Sequence, residues 1–313
     1  MQYYSNGTTA DTLRCTIAGS DSGGGGAGIQ ADLKTFSALG GVWGGCTVIT
    51  AVTSQNTRAV LSSLTVDTHT LTCQMDAVFQ DFAISAVKTG MLPDAKTIET
   101  VAENLPPRAV SLVVDPVMIA TSGKRLASRE GVSALCERLI PPRAALVTPP
   151  NIPELCVLTK RETITTVEEM TAAGRELLAM GAKAVLIKGG HLTTETSPPD
   201  VFLCSTEQMV LDGPPRYPPY EVHGSGCALA AAITAYLVRG EMLPEACRQG
   251  EGVCLRRHPG RGARLLREAD GQPPRRDGPG GDVRPQEITD NRPIFLIQTK
   301  FIDTGRETNQ RII

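Results

Sequence analysis

The sequence has no apolar run of the roughly 18 residues that a membrane-spanning helix requires. Its opening, MQYYSNGTTADTLR, lacks the basic and apolar regions of a secretory signal and is expected to be a disordered lead. Neither sign of charge dominates. With 31 Lys+Arg against 33 Asp+Glu the formal net charge is −2, so the totals give no reason to expect nucleic acid or an anionic membrane as partner. The nine cysteines (Cys15, Cys46, Cys73, Cys136, Cys156, Cys204, Cys227, Cys247 and Cys254) include no C-x-x-C pair. That absence argues against zinc and dithiol motifs. Most of them stand in apolar surroundings and are expected to be small buried hydrophobes in a reducing, cytoplasmic compartment. A G-x-x-x-x-G-K-[ST] phosphate loop is missing too, which argues against a P-loop nucleotidase.

What is present is an ordinary globular composition, 41% apolar and 20% charged over 313 residues. Short apolar runs alternate with helical patterns. Strands are expected at 13–19, 47–52, 83–90, 109–116, 144–149 and 182–190. Helices are expected at 29–40, 70–82, 129–140, 166–181 and from Cys227 to Val238. Near-continuous apolar strands separated by helices imply an α/β fold with a mostly parallel sheet covered on both faces. The pattern ends near residue 254. Residues 255–285 are dominated by Arg, Gly and Pro and are net basic, a composition that buries no core. The expected organisation is a lead at 1–12, one domain at 13–254 and an atypical, disordered segment at 255–313.

In such sheets ligands bind beyond the carboxyl ends of the strands, and the polar and glycine-rich pieces fall there. GSDSGGGGAGIQAD (19–32) contains Gly23-x-Gly25-x-x-Gly28, a formal dinucleotide fingerprint. That fingerprint requires an acid about 20 residues on to hold a ribose, and no Asp or Glu occurs from Leu33 to Val66. A glycine loop closing over a small substrate fits better, with Asp32 as a polar anchor. A tight strand-to-helix turn is the plain structural alternative. HGSGC (223–227) opens a helix behind a glycine turn, so the amides of Gly224, Ser225, Gly226 and Cys227 would face a phosphoryl group at the positive end of the helix dipole. A packing turn with a buried cysteine is the alternative there. Asp115, Asn151 and Glu154 stand at or just after strand ends, as oxygen ligands for magnesium or its waters would, although each alone also reads as a turn or cap residue. Lys188, beside two glycines, suits a nucleotide phosphate.

Together TIAGSDSGGGGAGIQADLKTFSALG, TAVTSQNT, KTGML, VVDPVMIATSG, TPPNIPE, IKGGH and HGSGC resemble the hydroxymethylpyrimidine kinase / phosphomethylpyrimidine kinase family of thiamine biosynthesis, within the ribokinase-like superfamily. The resemblance runs from Leu13 to Gly252. It implies a three-layer αβα sandwich, a homodimer, and two successive ATP- and Mg2+-dependent phosphorylations of 4-amino-5-hydroxymethyl-2-methylpyrimidine. By the resemblance, Gln55 recognises the pyrimidine, and Asp32, Gly19, Ala27 and Met91 line the pocket around the ring. Asp115 and Glu154 belong to the metal region, and Lys188, Asn151 and Gly226 to the nucleotide side. Gly224, Ser225 and Gly226 form the anion hole, with Cys227 at the position of the catalytic base. A thiol at a helix N-terminus is expected to have a lowered pKa. Compared with the family pattern, the chain has one extra residue in each of three places: Gly23–Gly26, Gly40–Gly45 and Pro149–Pro150. The alternatives are a pyridoxal, pyridoxine or pyridoxamine kinase of the same superfamily, and a pyrimidine-binding protein without its nucleotide side.

Overall fold

The computed structural model describes residues 14–39, 45–56, 59–106, 111–119, 126–147, 150–192, 198–212 and 224–256. The expected lead and, from residue 257 onward, the Arg/Gly/Pro-rich segment lie outside the described residues. The chain divides between Gln272 and Pro273, and every described residue belongs to the first part.

In chain order the elements begin β1 (Arg14–Gly19), α1 (Gly28–Leu39), β2 (Gly45–Ile49), β3 (Ala51–Gln55), β4 (Val60–Thr65), α2 (Thr68–Asp81), β5 (Ile84–Thr89), α3 (Ala95–Asn104) and β6 (Ser111–Val114). They continue with α4 (Arg129–Ala134), a π-helical turn (Leu135–Leu139), α5 (Ile140–Arg143), β7 (Ala144–Val147), α6 (Ile152–Thr159) and α7 (Val167–Ala179). Last come β8 (Ala184–Ile187), β9 (Asp200–Cys204), β10 (Gln208–Leu211), α8 (Ser225–Val238) and α9 (Leu243–Arg256). Eight strands form one sheet in the order β10-β9-β8-β7-β6-β5-β1-β2, while β3 and β4 pair separately as a hairpin. The pairs from β2 to β8 are parallel, and β9 and β10 complete the edge antiparallel.

Side-chain alternation builds three layers. Val185, Ile187, Val201 and Leu203 belong to one buried layer together with Leu71 of α2, Ile98 of α3, Leu155 of α6 and Leu177 of α7. Their strand neighbours Ala184, Leu186 and Phe202 point the other way, onto Leu229 and Ile233 of α8. Helix starts follow local chemistry: the Asp67 side chain accepts the Thr70 amide at 2.9 Å and Asp94 accepts that of Thr97 at 2.8 Å.

Three expectations change. The run at 47–52 is two strands in different sheets rather than one. Thr50 breaks it, because its amide donates to Gly19 O (3.0 Å), its carbonyl accepts from Val66 N (3.0 Å) and its hydroxyl donates to Met91 O at 2.7 Å. The helix expected at 129–140 carries the π-helical turn in its middle. The cysteines are less buried than their surroundings imply: Cys247 is fully buried, Cys136, Cys156, Cys204 and Cys227 are half-buried, and Cys73 is exposed. Among the described residues no helix is long and apolar enough to cross a membrane.

Candidate active site

The loop from β1 into α1 turns on Gly28. Its φ is +58°, and a β-carbon there would overlap the Ser20 carbonyl oxygen, so glycine is required. The hairpin β3–β4 rests on this loop. Asp21 N donates to Ala51 O at 2.9 Å, Thr53 Oγ1 donates to Asp21 O at 2.7 Å, and Ser22 Oγ reaches Gln55 Oε1 at 3.4 Å. From the far end of the chain, Gly224 caps α8 with φ +78° and lies against Gly26 and Ala27. The amides of α8's first turn therefore open beside the glycine loop.

Behind that junction is a charged cluster. Lys88 is completely buried, and its Nζ donates to Asp32 Oδ2 at 3.0 Å and lies 3.6 Å from Asp115 Oδ2. Both acids are buried as well. Burial raises the Asp32 carboxyl to about 6 even though Lys88 pulls it down, and burial also raises Asp115 against the same ammonium. Cys227, on the first turn of α8, interacts with all three charged groups and receives the Gly28 amide.

On the other side of Asp115, Asn151 and Glu154 form a reciprocal capping box at the start of α6. Asn151 Oδ1 accepts from Glu154 N at 2.9 Å and Glu154 Oε2 from Asn151 N at 3.1 Å, while Glu154 Oε1 takes Met118 N at 3.1 Å. Burial, and then the charge of Asp115, raise the Glu154 carboxyl to about 8. The extra residue at Pro149–Pro150 leaves this box intact, and Pro150 O accepts from Lys188 N at 3.4 Å. Lys188 extends β8 beside Asn151, and its charge is felt at Asp115. The following turn is pinned by Asp200, whose Oδ1 accepts from Gly189 N at 2.8 Å.

Residues 21–255 match the model of the family described as phosphomethylpyrimidine kinase. The chain belongs to that family. A Rhizobium meliloti hydroxymethylpyrimidine/phosphomethylpyrimidine kinase is 46% identical over 234 residues, 75% of this chain and 85% of the relative. The crystal structure of phosphomethylpyrimidine kinase from Clostridium difficile 630 superposes with TM-score 0.67 at 40% identity, covering 78% of this chain and 97% of that one. The ADP complex of Bacillus subtilis pyridoxal kinase gives TM-score 0.69 at 31% identity, with 77% and 90% coverage.

For this member of the phosphomethylpyrimidine kinase family, the sequence-derived residues fall into two adjoining groups. Gly19, Ala27, Asp32, Gln55 and Met91 border the glycine loop and β5, where the Gly90 amide donates to Ala18 O at 2.8 Å. Asp115, Asn151, Glu154 and Lys188 follow β6, β7 and β8. Gly224, Ser225, Gly226 and Cys227 start α8 between the groups.

One expectation is reversed. The Cys227 thiol is not lowered but pushed up to about 12, because burial and the carboxylates Asp115 and Asp32 outweigh Lys88 and the Gly28 amide. A helix N-terminus lowers a thiol only where more negative charge does not surround it.

One residue of the KTGML motif has no role assigned from sequence. Lys88 lies in an apolar strand, VKT, and a charged side chain there must either reach solvent or find a buried partner. That was the available signal.

Proposed function

We propose that this chain transfers the γ-phosphoryl group of ATP to the hydroxymethyl group of 4-amino-5-hydroxymethyl-2-methylpyrimidine, and then a second one to the resulting monophosphate, in thiamine biosynthesis. The observation that carries this reading is the junction of Gly26 and Ala27 with Gly224–Cys227 beside the buried Asp32–Lys88 pair. It joins a helix start suited to a phosphoryl group with buried polar side chains suited to a small heteroaromatic alcohol.

Each step assigns work to named groups. Gln55, whose amide both donates and accepts, reads the aminopyrimidine edge. Asp32, Gly19, Ala27 and Met91 surround the ring and exclude water. Lys188 holds the nucleotide phosphates, and the first-turn amides of α8 meet the charge that develops on the transferring group. Cys227 takes the hydroxyl proton in the first transfer. The second acceptor is already an anionic phosphate and gives up no such proton.

Mg2+ fits the opposite side. Asp115 Oδ2 is buried and accepts no hydrogen bond among the described residues, with the Lys88 ammonium 3.6 Å away. The neighbouring Glu154 is held at about 8 by burial and by Asp115. Two crowded acids of this kind are relieved by a cation. Among the described residues no cluster of three or more ligating side chains exists. Asp115 and Glu154 would therefore hold the ion or its waters, and phosphate oxygens would complete the shell. The ion neutralises phosphate charge. A homodimer is part of this reading and is supported by the exposed apolar side chains of the hairpin.

The test is ADP release by the full chain with Mg-ATP and, in turn, hydroxymethylpyrimidine, its monophosphate and pyridoxal. Turnover of the first two establishes the two-step kinase. Turnover of pyridoxal alone reassigns the chain to a pyridoxal kinase, and pyrimidine binding without turnover leaves a binding protein.

A further inference from the structure

Lys88 has no part in the phosphoryl transfer described above, yet it is the most costly side chain at the site. An ammonium removed from water is tolerated only where carboxylates surround it closely. Here its side chain is 0% exposed, Asp32 Oδ2 accepts from it at 3.0 Å, and Asp115 Oδ2 lies 3.6 Å away. A β-carbon on Gly90 would stand 3.4 Å from Nζ, so the ammonium lies directly beneath the turn that follows β5. The same turn approaches Gly19 at the end of β1. The three ionised groups come from α1, β5 and the turn after β6, so one cation ties the glycine-loop helix to the central strands.

The two oxygens of Asp32 are not equivalent. Oδ2 is taken by Lys88, whereas Oδ1 is buried and, among the described residues, accepts from nothing. A buried carboxylate oxygen without a donor is costly unless a ligand supplies one. Asp32 stands one turn into α1 from Gly28, and both act on the thiol of Cys227 at the start of α8. We propose that Lys88 is a positioning residue of the acceptor pocket: by fixing Asp32 through Oδ2 it presents Oδ1 to a hydroxyl or amino N–H of the heteroaromatic alcohol. This rests on the kinase reading given above. On this geometry the lysine acts on acceptor binding through Asp32, its hydrogen-bonded partner at 3.0 Å, and more weakly, at 3.6 Å, on Asp115 of the metal side.

Steady-state kinetics on the full chain test it, with Lys88→Met, Lys88→Arg, Asp32→Asn and the double variant Lys88→Met/Asp32→Asn. Lys88→Met is expected to raise the pyrimidine KM about tenfold or more, and the ATP KM, linked to Lys88 through Asp115, by clearly less. The double variant should be no worse than Asp32→Asn alone, because both changes remove one interaction. A pyrimidine KM unchanged in Lys88→Met overturns the proposal. So do losses that multiply in the double variant, or equal rises in both KM values together with a lowered melting temperature. Should Lys88→Met not fold, Lys88→Arg decides. Its guanidinium keeps the charge but displaces the carboxylate, so the pyrimidine KM should rise more than the ATP KM, and an unchanged pyrimidine KM overturns the proposal. A wild-type chain that neither binds nor phosphorylates the pyrimidine refutes the kinase reading and the role of Lys88 together. A wild-type chain that is active, with indifferent Lys88 variants, removes only the latter.

Discussion

Gly224 and Gly26 are in backbone contact although nearly two hundred residues separate them: a β-carbon on Gly224 would overlap the carbonyl oxygen of Gly26. The φ of +78° at Gly224 makes the same demand independently. This contact sets the distance between the glycine loop, proposed to close over the acceptor, and the helix start, proposed to meet the phosphoryl group. Gly224→Ala is therefore expected to move α8 away from the loop. Backbone strain of about 1–3 kcal/mol lowers the melting temperature, and a displacement on the order of 1 Å reduces kcat about a hundredfold. A variant with wild-type kcat would show that the contact is packing alone.

The raised thiol of Cys227 gives a directional pH prediction. With its pKa pushed from 9.0 to about 12, the resting group is protonated at neutral pH, and the thiolate fraction grows about tenfold for each pH unit below that value. If this sulfur takes the alcohol proton, the first phosphorylation should accelerate as pH rises from about 7 to about 9, while the second stays flat. Cys227→Ala should slow the first step by about 10²- to 10⁴-fold and abolish its pH dependence, with a far smaller effect on the second. Stopped-assay profiles for each acceptor measure this. Parallel profiles and equal losses in the two steps would refute the division of labour.

How far the sequence reveals this site depends on whether a residue's role is local. The alternation of apolar strands and helices was enough for the three layers, because burial on both faces of β8 leaves its signature within the run AVLI. Asn151 and Glu154 each read as a turn or cap residue in the sequence, but the reciprocal box they form is seen only in the structure. Thr50 was not legible, since the break it makes depends on Gly19, Met91 and Val66, which no short window contains. The thiol of Cys227 was misjudged for the same reason: the helix start is local, but Asp32, Lys88 and Asp115 reach it from three other elements. Sequence reading also leaves β4, α3, α6, α9 and the edge strands β9 and β10 unassigned, since these elements are short or carry mixed patterns.

Glu154 gives a stability prediction. Its carboxyl is held at about 8 against an ordinary 4.5, so across that interval the folded chain keeps a proton that the unfolded chain releases. Stability from this group is complete below about 4.5 and is lost as pH rises towards 8, with a slope of at most about 1.4 kcal/mol per pH unit. Urea unfolding of the wild type between about pH 5 and pH 8 should show this decline. Glu154→Gln removes the titrating group and should flatten the curve, although loss of one capping acceptor lowers its plateau by about 1 kcal/mol. Identical slopes in the two proteins would assign the decline to another acid.

The hairpin β3–β4 connects assembly to the pocket. Val52 and Leu64 face each other across it and are 47% and 72% exposed, and Leu61 is 72% exposed as well. A two-stranded ribbon with uncovered apolar side chains is a poor free surface, and a second copy of the chain would cover it in the proposed homodimer. Leu64→Asp should weaken the dimer about a hundredfold or more, because a carboxylate would be buried without a partner. Light scattering across a dilution series reads this directly, and a wild type that stays monomeric at about 100 µM, far above ordinary dimer constants, removes the proposal. The consequence extends to the site. Gln55 ends β3 and meets the glycine loop through Ser22 at 3.4 Å, so a hairpin released from its partner holds Gln55 less firmly. The monomeric variant should therefore show a raised pyrimidine KM with little change in the ATP KM, a pattern that damage to the nucleotide side would not produce.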